Sequence, residues 1–229
     1  VTEVLVVVAM VPEAEPLRAA ADHVGPTRSV GHAERTVLSL AGRRVLLLRT
    51  GIGAVNATAA VAVALHETGP VPVISAGSAG GLGAQVRVGD VVVGERYRFG
   101  GADATAFGYQ RGQIPGMPVD FVGEPHLVEA ARAVTLIDGA VLVGTMLSSD
   151  AFVDARTVDD VRADFPDALS TDMESTAIAQ TCHLAGAPFV SVRGISDLCG
   201  PVAGEDFRTH VDDAADRSAA VVTSVLAAL

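Results

Sequence analysis

The sequence predicts an α/β fold, a sheet with helices on both faces. Short valine-rich apolar runs recur along the chain, most are followed by a stretch of helical pattern, and glycines or acids sit where the one gives way to the other. Val4 to Ala9 is continuously apolar, the mark of a strand buried on both faces, and Pro12 to Ala21 then reads as a helix opened by its proline. Val45 to Arg49 is a second buried strand. Gly51-Ile-Gly53 follows it as a tight turn, and an alanine-rich helix spans Val55 to about Leu65. Pro72 to Ser75 is a third strand, ending in the glycine-rich turn Gly77 to Gly81. Val91 to Arg96 is a strand after the turn Gly89-Asp90. A helix over Pro125 to Val134 and strands at Ala140 to Met146 and Phe189 to Gly194 come next, and the closing helix runs from about Val211 to Ala228.

Residues 1–229 are read as a single domain, because no linker, repeat or composition break divides them, and 229 residues suffice for a substantial core. With 49% hydrophobic and 19% charged residues the chain is globular rather than disordered. The formal net charge of -11, with no basic stripe longer than Arg43-Arg44, argues against a nucleic-acid partner. No apolar run reaches membrane-spanning length and the start lacks the pattern of a signal peptide, so the expectation is a cytoplasmic protein without a membrane partner. Cys182 and Cys199 read as reduced, structural thiols. The six histidines are scattered without ligand spacing, so no metal site is supported.

Three acids stand at the carboxyl ends of strand-like segments, where α/β proteins gather ligands: Glu13, Glu174 and Asp197. Each has a bland local reading. Glu13 fits a first-turn acid favoured by the helix dipole, and Asp197 or Ser196 fits a turn cap. Thr171 and Glu174, in Ser170-Thr-Asp-Met-Glu-Ser-Thr-Ala-Ile-Ala-Gln180, have the spacing of a capping box. Gly51-x-Gly53-x-x-Asn56 is a poor dinucleotide fingerprint, since Asn56 replaces the third glycine and no acid follows at ribose distance. Ala76 to Gly83 lets backbone approach a ligand closely, but it lacks the Gly-Lys-Ser/Thr ending of a triphosphate loop. Phe99 to Val122, rich in Gly, Pro and aromatics, is long enough to be functional.

The blocks AMVPEAE, TGIGAVNA, SAGSAGGLGAQVRVGDVVV, DATAFGYQRGQIPG, SSDAFV, TDMESTAIAQTCHLAGAPFVSVRGISD and EDFRTHVDDAADRSA occur in the order and approximate spacing of one family. Together they resemble the bacterial methylthioadenosine/S-adenosylhomocysteine nucleosidases of the nucleoside phosphorylase superfamily, from Val4 to about Val221. The resemblance implies a three-layer sandwich with a central twisted mixed β-sheet flanked by helices, of the nucleoside phosphorylase/hydrolase type. It also implies hydrolysis of an adenine–ribose bond in methionine salvage, a small-molecule nucleoside substrate, no cofactor and a homodimer. By position, Asp197 resembles the acid that protonates adenine at N7, Glu174 the group on the ribose diol, and Glu13 the acid that activates water.

Ser78 matches a residue beside that water, and Ile52 one lining the site. Phe152 and the Val153 backbone match the walls around the base, and Met173 the floor below the sugar. Phe207 matches a wall at the ribose C5 end, and Phe107, Tyr109 and Pro115 match residues that reach across a dimer interface to that end. Val11-Pro12 departs from the family's usual run of glutamates, and Ser175 stands where a smaller Ala or Gly is usual. A phosphorolytic relative, a futalosine or aminofutalosine hydrolase and a non-catalytic nucleoside-binding protein are the alternatives. Against the first, Ile74 to Ser78 and Met10 to Glu13 lack the arginines that hold phosphate.

Overall fold

The computed structural model describes residues 3–229. β1 (Val4–Val8) is buried along its whole length and feeds α1 (Val11–Ala19), whose first turn accepts Pro12 because amides there have no intrahelical partner. An antiparallel run follows: β2 (His23–Val24), β3 (Arg28–Val30), β4 (Ala33–Leu40) and β5 (Arg43–Arg49). Then come α2 (Ala54–Thr68), β6 (Val73–Gly81), β7 (Val91–Phe99), a single 3-10 turn at Thr105–Phe107, and β8 (Phe121–Val122). The chain ends with α3 (Pro125–Arg132), β9 (Val141–Ser148), α4 (Val158–Asp164), β10 (Ala168–Asp172), α5 (Ser175–Ala185), β11 (Phe189–Asp197) and α6 (Ala203–Ala228).

The strands form one mixed sheet in the order β10-β9-β7-β11-β6-β1-β5-β4-β2, with β3 on β4 and β8 on β7. Because side chains alternate across a strand, β1 divides its residues between two cores. Val4, Val6 and Val8 pack with Ala14 and Leu17 of α1, Leu127 of α3 and Val221, Val222 and Val225 of α6. Leu5 and Val7 face the other way, toward Ala57, Val61 and Ala64 of α2 and Ile178 of α5. This is the helix–sheet–helix sandwich expected from the sequence. A smaller third cluster, containing Val153, Val158, Phe165 and Cys199, sits under α4.

One end of the sheet curls until β10 pairs antiparallel with β6, Ser170 opposite Gly81 and Thr171 opposite Gly80. Register shifts on β7 between Gly94 and Arg96, on β10 between Ala168 and Ser170, and on β11 between Ile195 and Asp197 supply the bend. The carboxyl ends of β6, β10 and β11 are thereby brought together.

Two sequence expectations are corrected here. Gly77 to Gly81 is strand rather than turn, because β6 continues through it. Glycine serves there as absence of a side chain: a Cβ on Gly77 would strike the Glu13 carboxylate and lie 2.8 Å from Arg193, and one on Gly80 would lie 2.6 Å from the Cys199 sulfur. Thr171 does not cap a helix with Glu174. It is a β10 residue, and α5 begins only after Glu174.

Gly194 of β11 packs against the backbone of α6, where an added Cβ would lie 2.7 Å from the Ala214 Cα, whereas Gly204 has open space. Gly194→Ala is expected to lower unfolding free energy in urea by about 1–3 kcal/mol, the usual cost of overpacking. Gly204→Ala, measured alongside, should lose nothing.

Candidate active site

A cavity of about 410 Å³ opens where the sheet curls, within the size range of small-molecule sites and lined mostly by apolar atoms. It brings together Glu13, Ile52, Ser78, Phe152, Val153, Met173, Glu174, Asp197 and Phe207. Phe107, Tyr109 and Pro115 do not line it; within one chain Phe107 is 83% exposed.

Glu13 serves two masters with its two oxygens. Oε2 accepts the amides of Ala9 at 2.9 Å and Met10 at 3.0 Å, the helix-entry role read from the sequence. Oε1 accepts the Ser78 amide at 2.9 Å and its hydroxyl at 3.1 Å, which ties the end of β1 to β6. Val11-Pro12 leaves this geometry intact, because the acid sits in the first turn of α1 and is 2% exposed.

Asp172 takes the capping role that the spacing had assigned to Thr171. Its Oδ1 accepts the amides of Glu174 at 3.2 Å and Ser175 at 3.1 Å, together with the Ser148 hydroxyl at 2.5 Å. Ser175 donates to its other oxygen and lies 2.7 Å from the Ser191 hydroxyl, so the larger side chain at this position is absorbed below the cavity. Glu174 is freed to turn inward, where its Oε1 accepts the Gly53 amide at 2.8 Å. Gly53, at φ 105°, belongs to the turn before α2, and this contact explains the Gly-Ile-Gly spacing better than a nucleotide fingerprint does.

Arg193 is the residue that sequence reasoning missed. At 1% exposure in the middle of β11, it sits 3.0 Å from Asp172, 3.5 Å from Glu174 and 3.9 Å from Glu13. It also donates to the Ser75 hydroxyl at 2.8 Å. The signal was present: a lone arginine inside Phe-Val-Ser-Val-Arg-Gly-Ile-Ser-Asp, a strand otherwise buried end to end, requires buried anions. The carboxylates around it keep Arg193 charged against its desolvation.

One cation among three carboxylates leaves the last of them undercompensated. Burial, opposed by Arg193 and reinforced by Asp172, pushes Glu174 up to about 7. Asp197 is raised as well, chiefly by burial, while the Cys199 amide at 2.9 Å and the Ser196 hydroxyl at 3.0 Å partly offset the shift. Cys199 holds that amide in place from a left-handed conformation, φ 56°. Its thiol is pushed up to about 12 by burial and remains a neutral wall. Phe152 and Phe207 close the apolar side, edge to face with centroids 6.3 Å apart.

The raised Glu174 has a stability consequence. Between its unfolded value near 4.5 and its folded value near 7 the native state holds more protons, so this group's contribution falls as pH rises through that window. The stability difference between wild type and Glu174→Gln should therefore shift against wild type by up to about 1.4 kcal/mol per pH unit across that range. Urea melts at pH 5, 6 and 7 would show a flat difference if Glu174 titrated normally.

Residues 3–227 match the model of the phosphorylase superfamily. A 5'-methylthioadenosine/S-adenosylhomocysteine nucleosidase of Chromohalobacter salexigens is 40% identical over 209 residues, covering 89% of this chain and 85% of that one. The Neisseria meningitidis nucleosidase of the same name, solved with methylthio-immucillin-A, superposes with a TM-score of 0.94 at 39% identity, covering 100% of both chains. The Colwellia psychrerythraea nucleosidase, solved with adenine, gives 0.94 at 31% identity over 98% of this chain and 94% of that one. The chain thus belongs to the phosphorylase superfamily and, within it, to the 5'-methylthioadenosine/S-adenosylhomocysteine nucleosidases.

Proposed function

We propose that this protein hydrolyses the N-ribosidic bond of 5'-methylthioadenosine and S-adenosylhomocysteine, releasing adenine and the 5-substituted ribose. The observation that carries the proposal is the meeting of Glu13, Glu174 and Asp197 around one largely apolar cavity. The names of its relatives and the adenine and inhibitor complexes of its structural neighbours support it.

Adenine leaves badly as an anion. Asp197, raised above the ordinary carboxylate range by burial, gives its proton to N7 as the bond to C1' breaks. The ribose then carries oxocarbenium-like charge. Glu174 accepts the 2'- and 3'-hydroxyls; their donors replace the solvation that burial removed, favour its ionised form and set a negative charge beside the developing positive one. Glu13 and Ser78 hold the water, and Glu13 takes its proton as oxygen attacks C1'. The base lies between Phe152 and the Val153 backbone, with Met173 below the sugar and Ile52 and Phe207 toward C5.

Phosphorolysis is disfavoured because Arg193, the deeply buried cation of the cavity, is already held by Asp172, Glu174 and Glu13. In this reading the whole chain acts as one domain of a cytoplasmic enzyme of methionine salvage. Among the described residues no helix is long and apolar enough to cross a membrane.

The active unit in this reading is a homodimer that delivers Phe107, Tyr109 and Pro115 to the partner's cavity. α5 packs against α2 and β8, and these elements expose Leu184, Val55 and Val122, apolar side chains of the kind that interfaces bury.

Asp197→Asn should keep the fold and lose about 10²- to 10⁴-fold in kcat, measured by adenine release, since an amide supplies no acid. Wild-type release should be independent of phosphate and yield free sugar; ribose 1-phosphate as product would refute hydrolysis. Mixing Glu13→Gln chains with Phe107→Ala, Tyr109→Ala chains should restore activity through heterodimers with one intact site. No recovery in heterodimers shown to have formed would count against the shared pocket.

A further inference from the structure

The chain contains no lysine, so all 16 of its basic residues are arginines, and several gather far from the cavity just described. A second cavity of about 600 Å³ lies on the outer strands, lined by Arg28, Arg35, Arg44 and His23 over a floor that includes Val37 and Leu46. Its position follows from register. Arg28 of β3 stands directly opposite Arg35 of β4, and Arg44 of β5 opposite Ser39, two places further along the face that carries Arg35 and Val37.

Like charges facing each other across a strand pair are unfavourable unless an anion lies between them. One carboxylate, Glu67 at the end of α2, bonds Arg35 at 2.6 Å and is itself half exposed. Three guanidinium groups against that one acid leave a local charge of +2, in a chain whose net charge is -11. Among the described residues neither Arg28 nor Arg44 has an ion pair within 4.0 Å; the Glu3 carboxylate meets only the backbone amide of Arg44, at 3.0 Å. Arg35 is 8% exposed, and among the described residues its Nε is one of two buried side-chain polar atoms with no hydrogen-bond partner. A buried donor left unpaired is costly, which makes it a mark of a ligand site.

We propose that this cavity binds a small organic phosphate monoester, its dianion among Arg28, Arg35 and Arg44 and its apolar body on Val37 and Leu46. Forked guanidinium donors match phosphate oxygens, and three of them suit a dianion with three acceptor oxygens better than a carboxylate with two. The site is separate from the nucleosidase cavity: α2 runs from Gly53, at Glu174, to Glu67, at Arg35, a span of about 20 Å at 1.5 Å per residue.

The test is calorimetric titration of the full chain at low salt with 1-naphthyl phosphate, inorganic phosphate, 1-naphthoate and 1-naphthol. Naphthyl phosphate is expected to bind one per chain, at least tenfold tighter than the other three, and to bind equally with adenine present. Arg28→Gln, Arg44→Gln, at two exposed positions, should weaken it at least tenfold while adenine release stays unchanged. Arg132→Gln, on the surface of α3, should bind as wild type. Absence of saturable binding, competition by adenine, or unchanged affinity in the Arg28→Gln, Arg44→Gln chain would overturn the proposal. Naphthoate binding as tightly as the phosphate would overturn the phosphate assignment.

Discussion

The nucleosidase site is organised around one buried charge. Arg193 lies in the middle of β11, away from water, and it is tolerable there only because β10 and the turn after it bring Asp172 and Glu174, and the first turn of α1 brings Glu13. These carboxylates come from two stretches of sequence far from Arg193 itself, so satisfying it also fixes how the ends of β1, β10 and β11 sit relative to one another. The Ser75 hydroxyl and the Ser78 carbonyl of β6, and the Ser191 hydroxyl of its own strand, complete its hydrogen bonding. Removing the arginine would leave carboxylates facing one another in a dry interior, a larger penalty than any single contact contributes.

The three carboxylates around Arg193 are unequal, and their inequality is useful. Asp172 is saturated by two amides, two hydroxyls and the Arg193 Nε. Glu13 accepts three amides and one hydroxyl, the last from Ser78, whose rotation would free one acceptor position toward the cavity. Glu174 holds one amide and a more distant guanidinium, which is why burial raises it while it still faces the cavity. Asp197 lies outside the Arg193 cluster altogether and is raised chiefly by burial. The same chemical group is therefore present in two conditions: held in place by donors, or raised by burial above the ordinary carboxylate range.

Much of this was legible in the sequence, for physical reasons that also mark the limits. Strands buried on both faces are dominated by apolar residues, so β1 and the middle of β5 stood out, and the acids at or just past strand ends, Glu13 and Asp197, were conspicuous by contrast. The edge strands β2 and β3 are exposed and carry no such signal, and β4 mixes buried and half-buried residues. The Thr-x-x-Glu spacing misled because Asp172 lies between the pair and competes for the same amides from a better position. Gly77 to Gly81 misled because glycine marks both turns and strands crowded by their neighbours, and only the approach of Glu13 and Cys199 tells them apart. Long-range pairing is what local pattern lacks.

The arrangement around Arg193 bears on why water, rather than phosphate, fits this member of a phosphorylase superfamily. A phosphate dianion beside C1' needs cationic donors with spare capacity, and the guanidinium at the floor of this cavity has none: its charge is matched and exceeded by the carboxylates touching it. A neutral water carries no such requirement. In the proposed reaction it needs an acceptor for its proton and a donor to orient it, roles open to Glu13 and the Ser78 hydroxyl once their mutual hydrogen bond is exchanged for bonds to the water. An anion entering the same space would meet Glu13 and Glu174 at short range with little solvent to screen them. Within one fold, an excess of buried negative charge at the floor disfavours an anionic nucleophile.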